Sequence, residues 1–379
     1  MNTRHYKLIA LLLVLAMVLG FVGSCVAYEP VDPGDAAVPP TIPTEPETTL
    51  STEPTEPAPT EPTEPPAPAP QRPVTQAPLA APTTAAKYAF IYDTRTEHYL
   101  YSNVPVDTAI FPASVTKLFT TYVALMYLDP QETVTIGNER NLVALDASIA
   151  GLQKGTTWTV EGLAYGALLP SGCDASYSLA AAAGRKILDD PKATSQKSIA
   201  AFMDECNRLA EELGMTNTHF VTPDGYHDWN HYISIRGYTI IAQLILDHEL
   251  LSEIAKTPQA TVTYYNKYGT PYTTTMHNTN RTIHQEMPEF YRPESVGLKT
   301  GSTSAAGKCL LTAYQVEGGY LIVGVFGCIE TTSRFTSANT LFDFFIEQRG
   351  TEYPYNKDPG ITPGSFHFTE YLSEFIVFP

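Results

Sequence analysis

The chain has 379 residues and a formal net charge of −17, and 31 of its residues are proline. Positions 26–86 hold nine acidic residues and one arginine, so about half of the net charge lies in that stretch. Nucleic-acid binding requires clusters of Lys and Arg, which this sequence lacks, and the composition therefore argues against a nucleic-acid partner. We interpret the remaining negative charge as a source of solubility.

Residues 1–27 have the pattern of a signal or anchor segment. A basic start precedes an almost uninterrupted apolar run from Leu8 to Val22. The short box that ends in Cys25 resembles the site at which bacterial lipoproteins are cleaved and acylated. Cleavage after Ala27 and an uncleaved anchor are the alternatives. All three predict an extracytoplasmic protein, on the outer face of the bacterial membrane or in the cell wall. A lipid on Cys25 or an uncleaved anchor would tether it, with membrane contact through the N-terminus only.

Residues 28–86 form a tract of Pro, Thr, Glu and Ala with repeats such as Thr52-Glu53-Pro54. So few apolar side chains cannot form a core, and the prolines favour an extended conformation. A stiff tract of this length, nearly sixty residues, spans on the order of 150 Å. We therefore predict a disordered linker that holds the folded domain away from a membrane.

A β-hairpin is the first element predicted in the folded domain. Residues that favour strands occupy Ala89–Tyr92 and Tyr99–Ser102, and they flank a polar turn at Thr94–Glu97. The hairpin supplies the first two strands of a predicted sheet.

Ser114 and Lys117 lie at the start of the helix that is predicted next. Apolar residues recur at helical spacing from Val115 to Met126, which predicts a helix buried along one face, and Pro112 precedes its first turn. Residues three apart are neighbours on a helix, so the lysine amine can reach the serine hydroxyl. A serine nucleophile needs an adjacent base, and apolar surroundings lower the pKa of a lysine enough for it to serve. Alone, this common spacing is a weak signal.

A loop between two helices carries the next candidate residues. The stretch around Asp146 and Ser148 has no clear pattern, and a helix is then predicted at Val160–Leu168, which Pro170 ends. The residues that follow, Ser171-Gly172-Cys173-Asp174, are expected to form a short corner before a second helix.

The remaining elements follow from the same patterns. Helices are predicted at Ala175–Leu188, Ile199–Leu213, Ile233–Ile254 and Phe335–Gln348, and strands at Thr261–Tyr265, Tyr272–Met276, Val296–Thr300, Lys308–Tyr314 and Tyr320–Gly327. Cys206 falls in an apolar stripe and is predicted to pack in the core. Strands at both ends with helices between them predict an α/β fold, in which an antiparallel sheet is flanked by the first and last helices and a helical lobe is inserted.

Three short motifs together point to one kind of chemistry. After Ser114 and Lys117 come Ser171-Gly172-Cys173 and then Lys299-Thr300-Gly301. Their order and separation match the motif set of the serine penicillin-recognising enzymes. The chain therefore resembles the low-molecular-mass D-alanyl-D-alanine carboxypeptidases, which are penicillin-binding proteins.

The resemblance extends from about Tyr88 to about Arg349 and includes the runs Thr222–Asp228 and Gly297–Gly307. It implies a β-lactamase-like α/β fold with the active site between the lobe and the sheet. The catalytic domain would occupy residues 87–350, and residues 351–379 would be a short tail. Relatives often carry a further β-rich domain and a C-terminal anchor, and this tail is too short for both. No cofactor is implied.

The resemblance also implies a role for each site residue. Ser114 would attack the carbonyl between the two terminal D-alanines of a peptidoglycan stem peptide, and water would hydrolyse the resulting acyl-enzyme. β-Lactam antibiotics would acylate the same hydroxyl. Lys117 would be the base in acylation, and Ser171 would pass protons between these two residues and the leaving amine.

The third motif would bind the substrate. Lys299, on a predicted edge strand, would attract the terminal carboxylate and lower the pKa of the catalytic lysine. Thr300 would hydrogen-bond the carboxylate, and Gly301 would let the strand approach the substrate closely. The backbone N–H of Ser302 and that of the nucleophile would form the oxyanion hole.

Cys173 is the departure from the commoner pattern, which has Asn at this position. An Asn side chain both donates and accepts hydrogen bonds, whereas a thiol does each weakly. The contacts that Asn makes to the lysine and to the substrate amide are therefore in doubt here.

Two other residue pairs suggest a disulfide and a metal site. A hairpin turn at Gly318-Gly319 would place Cys309 opposite Cys328, so a disulfide is geometrically possible, and two buried thiols are the alternative. His227 and His231 suggest a metal, but no third ligand lies at a recognisable spacing, and packing of a loop near the cleft is favoured.

Three functions are consistent with the motifs. The first is a membrane-tethered serine D-Ala-D-Ala carboxypeptidase, with transpeptidation if an amine replaces water. A β-lactamase is the second, disfavoured because no segment resembles the acidic loop that serves deacylation in class A enzymes. The third is a penicillin-binding sensor or wall-binding module with little turnover, which the intact Ser, Lys and Lys-Thr-Gly set disfavours.

Overall fold

The computed structural model describes residues 82–347. All of these residues belong to one compact unit. The predicted signal segment with Cys25, nearly all of the linker and the tail 351–379 lie outside the described residues. Within the described part, no helix is long and apolar enough to cross a membrane.

The described residues form eleven strands and seven α-helices. In chain order these are β1 (Tyr88–Asp93), β2 (His98–Ser102), β3 (Ala109–Ile110), α1 (Thr116–Leu125), β4 (Thr133–Thr135), β5 (Thr157–Thr159), α2 (Val160–Leu168), α3 (Cys173–Ile187), α4 (Ser195–Glu212), β6 (Ile233–Ser234), α5 (Ile235–Asp247), α6 (Glu249–Lys256), β7 (Gln259–Tyr265), β8 (Pro271–His277), β9 (Ser295–Thr303), β10 (Gly307–Val316), β11 (Gly319–Cys328) and α7 (Ser333–Glu347).

A five-stranded antiparallel sheet of order β2-β1-β11-β10-β9 forms the centre of this unit. Side chains alternate between its faces, so Phe90 joins one buried cluster and Ile91 the other. Helix α7 covers one face through residues such as Phe335, while the turn that precedes α1 and helix α5 lie against the other. The predicted α/β architecture, with β9 at an edge, is confirmed.

A second sheet of order β4-β5-β7-β8 belongs to the helical lobe. We expected β7 and β8 to continue the central sheet, and this expectation is wrong. Tyr264 on β7 stacks on the buried Trp158 of β5, with ring centroids 4.5 Å apart. Val262 and Met276 bury the same face. Because alternation reveals only that one face is buried, it does not reveal which sheet a strand joins.

Three helix predictions need correction. Helix α1 is buried on nearly every side, and not along one face only. The predicted helix at Ile233–Ile254 is two helices, because His248 has an extended backbone and its ring accepts a hydrogen bond from Leu251 N at 3.4 Å as the cap of α6. Cys173 and Asp174 lie in the first turn of α3, not in the loop before it.

The possible disulfide between Cys309 and Cys328 is not formed, and the alternative, two free and buried thiols, is confirmed. The turn lies one residue earlier than expected, since Val316 pairs with Gly319 and Gly318 supplies the positive φ of 80°. A register shift then places Lys308 opposite Cys328. The two thiols therefore do not face each other as the sequence suggested. Cys206 is core packing, as predicted.

Candidate active site

The Ser114–Lys117 pair is assembled as the sequence predicts. A 3₁₀ turn, Ala113–Val115, leads directly into α1, so Ser114 and Lys117 lie on one continuous helical turn. Lys117 Nζ lies 2.8 Å from Ser114 Oγ and donates to the backbone carbonyl of Asp224 at 2.9 Å. Lys117 has no solvent-exposed surface, whereas Ser114 is partly exposed. The geometry suits transfer of a proton from the hydroxyl to the amine.

Two glycines allow other segments to approach this turn. A methyl group added to Gly225, whose φ is +76°, would lie 1.9 Å from the carbonyl oxygen of Ala113. One added to Gly301 would lie 2.9 Å from the carbonyl oxygen of Pro112 and 3.2 Å from Ser114 N. Close contact with the nucleophile turn therefore explains why a glycine occupies position 301, and sequence analysis did not predict this contact. The approach of Gly301 to substrate stays a prediction.

The second motif lies beside the pair with much weaker bonding. Ser171 is buried and has a positive φ of 64°, which is strained for a residue with a side chain. Cys173 Sγ lies 3.9 Å from the carbonyl oxygen of Ser171, at the limit for a thiol bond. Burial, reinforced by the Asp224 carboxylate, raises the pKa of the Cys173 thiol to about 12. The thiol is therefore protonated at neutral pH.

Asp174 is a supporting residue for which sequence analysis assigned no role. Its buried carboxylate accepts hydrogen bonds from the backbone N–H groups of Ala150, Gly151 and Leu152 at 2.7 to 2.9 Å. Because the carboxylate sits at the N-terminus of α3, it also lies where the helix dipole favours an anion. Asp174 therefore holds the loop before β5 in place, and residues 146–148 of this loop form one wall of the cleft.

The third motif lies on β9, next to the nucleophile turn. Lys299 is fully buried, and its Nζ donates to the carbonyl oxygen of Thr300 at 3.1 Å. Burial, followed by the electrostatic influence of the nearby Lys117 and Arg334 side chains, holds the pKa of Lys299 well below its ordinary value. Thr300 Oγ1 lies 2.6 Å from Thr279 Oγ1.

Arg334 is another contact that sequence analysis missed. The Arg334 guanidinium, on α7, donates to the carbonyl oxygen of Gly301 at 3.0 Å and stacks over the Phe335 ring at 4.8 Å. It therefore fixes the strand backbone beside the nucleophile. Neither Arg334 nor Thr279 lies in a recognisable motif, and contacts between such distant positions leave no local signal in one sequence.

A cleft of about 250 Å³ opens above these groups. Of the predicted site residues, Ser114, Cys173 and Ser302 line it, whereas Lys117, Ser171, Lys299, Thr300 and Gly301 are not among its lining residues. The other walls include Asp146, Ser148, Asp224, Tyr226 and His227, which sequence analysis did not assign to the site. Tyr226 Oη donates to Asp146 Oδ1 at 2.9 Å, and this bond connects two walls of the cleft.

The two loop histidines have different surroundings. His231 is buried, accepts hydrogen bonds at Nδ1 from the backbone of Val221 and Thr222, and contacts Thr116 Oγ1 through Nε2 at 3.0 Å. Burial lowers the pKa of His231 to about 4, so the ring is neutral and Nε2 carries the proton. His227 lines the cleft. Among residues 82–347, no group of three or more His, Cys, Asp or Glu side chains could hold a metal ion.

A buried lysine lies within hydrogen-bond distance of a serine at the start of a helix, and a Ser-Gly-Cys corner and a Lys-Thr-Gly edge strand flank the pair. This arrangement defines a serine hydrolase of the penicillin-recognising class. The family profile described as D-alanyl-D-alanine carboxypeptidase matches residues 75–329. The chain therefore belongs to the D-alanyl-D-alanine carboxypeptidase family, and the predicted class of enzyme, a serine-type peptidase, is confirmed.

Two characterised relatives illustrate the similarity. The D-alanyl-D-alanine carboxypeptidase of Streptomyces sp. strain K15 is 32% identical over 250 residues, which are 64% of this chain and 80% of that protein. The D-alanyl-D-alanine carboxypeptidase DacF of Bacillus subtilis is 27% identical over 276 residues, which are 72% of this chain and 65% of that protein.

Solved structures agree with this assignment. The crystal structure of the Streptomyces K15 DD-transpeptidase superposes with a TM-score of 0.64 and 29% sequence identity. The match covers 71% of this chain and 100% of that chain. Penicillin-binding protein D2 from Listeria monocytogenes, solved in the ampicillin-bound form, superposes with a TM-score of 0.55 over 70% of this chain and 98% of its own. Because the sequence identity is 23%, this match supports the fold alone.

Proposed function

We propose that this chain releases the terminal D-alanine from peptidoglycan stem peptides that end in D-Ala-D-Ala, and that β-lactams acylate the same serine. The observation that carries the proposal is the 2.8 Å contact between Lys117 Nζ and Ser114 Oγ, with the lysine buried and the serine lining a cleft. Membership of the D-alanyl-D-alanine carboxypeptidase family supports the substrate class.

In acylation, Ser114 Oγ attacks the carbonyl carbon between the two D-alanines while Lys117 accepts the hydroxyl proton. The developing oxyanion would be stabilised by the backbone N–H groups of Ser114 and Ser302. The contact of Gly301 with the nucleophile turn supports this placement, because it brings β9 against Ser114 N.

The C–N bond then breaks, and the leaving D-alanine takes the proton that Lys117 received. We assign this transfer to Ser171, which lies two residues before Cys173 at the edge of the cleft. Among the described residues Ser171 Oγ has no hydrogen bond to Ser114 or Lys117, so the transfer requires substrate or water to complete the path. Water then hydrolyses the ester and restores the free serine.

The terminal carboxylate is assigned to the third motif. Since Lys299 is fully buried and donates to a backbone carbonyl, it would act through its charge, and Thr300 Oγ1 would supply the direct hydrogen bond. Cys173, on the cleft wall, would contact the substrate amide more weakly than the usual Asn.

The test combines a fluorescent penicillin with a peptide that ends in D-Ala-D-Ala. The proposal predicts a covalent label and D-alanine release, both lost in Ser114→Ala. A label without D-alanine release would favour a penicillin-binding sensor, and rapid loss of the label would favour a β-lactamase. Added amine acceptors would reveal transpeptidation as a second product.

We also propose that the enzyme works outside the cytoplasm and is tethered through residues 1–27, with lipid on Cys25. The apolar run and the box that ends at Cys25 support this placement. Metabolic labelling with a fatty-acid analogue should mark the protein, and Cys25→Ala should abolish the mark. Release of an unlabelled native protein into the medium would contradict the tether.

A further inference from the structure

The cleft contains a buried carboxylate that the acylation steps do not use. Asp224 is 1% exposed and lines the same cleft as Ser114 and Cys173. Its Oδ1 accepts the backbone N–H of Tyr226 at 3.0 Å, whereas no N–H or O–H group among residues 82–347 bonds Oδ2. The neighbouring donor is the Cys173 thiol, which bonds weakly. A buried carboxylate oxygen without a strong donor is costly, and this cost favours a functional role.

The backbone of Asp224 is fixed relative to the nucleophile. Lys117 Nζ contacts Ser114 Oγ at 2.8 Å and donates to the carbonyl oxygen of Asp224 at 2.9 Å. The next residue, Gly225, packs so closely that a methyl group there would lie 1.9 Å from the carbonyl oxygen of Ala113. The carboxylate is therefore held at the cleft before any substrate binds, as a proton acceptor requires.

Hydrolysis of the acyl-enzyme needs a group that accepts a proton from water. Water is a weak nucleophile at neutral pH, and a general base accelerates its attack by about 10²–10⁴-fold. Lys117 is fully buried and is not among the lining residues, so a water molecule in the cleft does not meet its amine directly. The lining itself contains two carboxylates and one histidine, which are Asp146, Asp224 and His227.

Contacts distinguish these three groups. Asp146 is exposed and accepts a hydrogen bond from Tyr226 Oη at 2.9 Å. The His227 ring packs edge-on against the Phe111 ring, with centroids 4.9 Å apart. Among the described residues, neither group is hydrogen-bonded to the nucleophile or to its lysine, whereas the backbone of Asp224 is bonded to that lysine. Asp224 is therefore the best-placed proton acceptor.

We propose that Asp224 is the general base that activates the hydrolytic water in deacylation. The inference rests on the function proposed above. As the water oxygen bonds to the ester carbon, Asp224 Oδ2 accepts the water proton. The bond from that carbon to Ser114 Oγ then breaks, and the same proton passes to Oγ. Carboxylate and serine hydroxyl are both restored, and the shortened peptide leaves with a new carboxyl group.

Asp224→Asn tests the base and keeps the loop, since its amide oxygen can still accept the Tyr226 N–H. With a peptide that ends in D-Ala-D-Ala, the first D-alanine should be released at the normal rate in an amount equal to the enzyme. Later turnovers should be slower by about 10²-fold or more. Peptidyl-enzyme should therefore accumulate, and mass spectrometry should find it on Ser114. Asp228→Asn, on the same loop but outside the cleft lining, is the control and should turn over normally.

Hydroxylamine separates the loss of a base from distortion of the site. It is a stronger nucleophile than water and depends less on a base, so it should raise the turnover of Asp224→Asn by about tenfold or more. A distorted site would stay slow. Asp224→Ser, whose hydroxyl can accept the same backbone N–H, is a second variant and should accumulate the same adduct.

The outcomes separate the two proposals. No adduct on Ser114 and no D-alanine from the native chain would overturn the proposed function itself. Normal turnover in the Asp224 variants, or an equal slowing of the first release and of later turnovers, would overturn the role of Asp224 while the function stands. Accumulation in His227→Gln with normal turnover in Asp224→Asn would assign the role to His227.

Discussion

Two corners of the cleft differ in how completely their polar groups are hydrogen-bonded: the nucleophile corner, around Ser114 and Lys117, and the second corner, around Ser171 and Cys173. At the nucleophile corner, Lys117 makes two hydrogen bonds of 2.8 and 2.9 Å, and His231 holds Thr116 at 3.0 Å. At the second corner, the Cys173 thiol lies 3.9 Å from the carbonyl oxygen of Ser171, and a thiol makes only weak hydrogen bonds to this and to the neighbouring Lys117 and Asp224 side chains. Catalysis should therefore depend on the first corner and tolerate replacement of Cys173 at the second.

Replacing the buried lysine should give the largest effect. Lys117→Met keeps a long side chain of similar shape but removes the base, so acylation by penicillin should slow by about 10³-fold or more. Stopped-flow labelling measures the rate, and thermal unfolding checks that the fold persists. Lys197→Met, at an exposed position on α4, is the control and should acylate at the normal rate. An acylation rate within tenfold of normal for Lys117→Met would remove the lysine from the mechanism.

Gly225 tests whether the nucleophile corner depends on close contact. Gly225→Ala forces a methyl group to 1.9 Å from the carbonyl oxygen of Ala113 and should cost about 3 kcal/mol or more in the free energy of unfolding. Gly214→Ala is matched, since Gly214 also has a positive φ but has no atom within 4 Å, and it should cost about 1 kcal/mol. Urea unfolding measures both. Equal losses would show that the contact is not tight.

His231, which contacts Thr116 beside the nucleophile, should make the stability of the fold depend on pH. Its pKa is about 4 in the folded chain against an ordinary 6.5. Between these values the unfolded chain binds the proton and the folded chain does not, so stability falls as pH decreases through this window. The loss between pH 7 and pH 5 should be about 2 kcal/mol.

Urea unfolding at the two pH values measures this loss. His231→Gln should remove that part of the pH dependence, whereas His277→Gln, at an exposed position, should keep it. An unchanged pH dependence in His231→Gln would mean that another group is responsible.

Cys173→Asn should have the smallest effect, because a thiol forms only weak hydrogen bonds. Acylation should stay within about tenfold of normal or become faster. A loss beyond about a hundredfold, which corresponds to roughly 2.7 kcal/mol, would show that the thiol has a role of its own. Measuring the same rate in Cys206→Ala, in the core away from the cleft, controls for loss of a buried thiol.

The sequence predicts those features that depend on local pattern. The helix at Val160–Leu168 has the predicted bounds, and Ser114 and Lys117 meet because helical spacing alone brings them together. Features set by distant contacts were not predicted. The break between helices α5 and α6 arises from the cap at His248, and the spacing of apolar residues does not reveal a cap. Arg334 donates to the carbonyl oxygen of Gly301, which is 33 positions away in the sequence.

The position of the covalent adduct tests the central claim most directly. After the chain reacts with penicillin, proteolysis and mass spectrometry should place the added mass on Ser114. After the same reaction time, Lys117→Met should carry almost no adduct although its fold is intact. An adduct on another residue, or an undiminished adduct in Lys117→Met, would contradict the assignment of this pair as nucleophile and base.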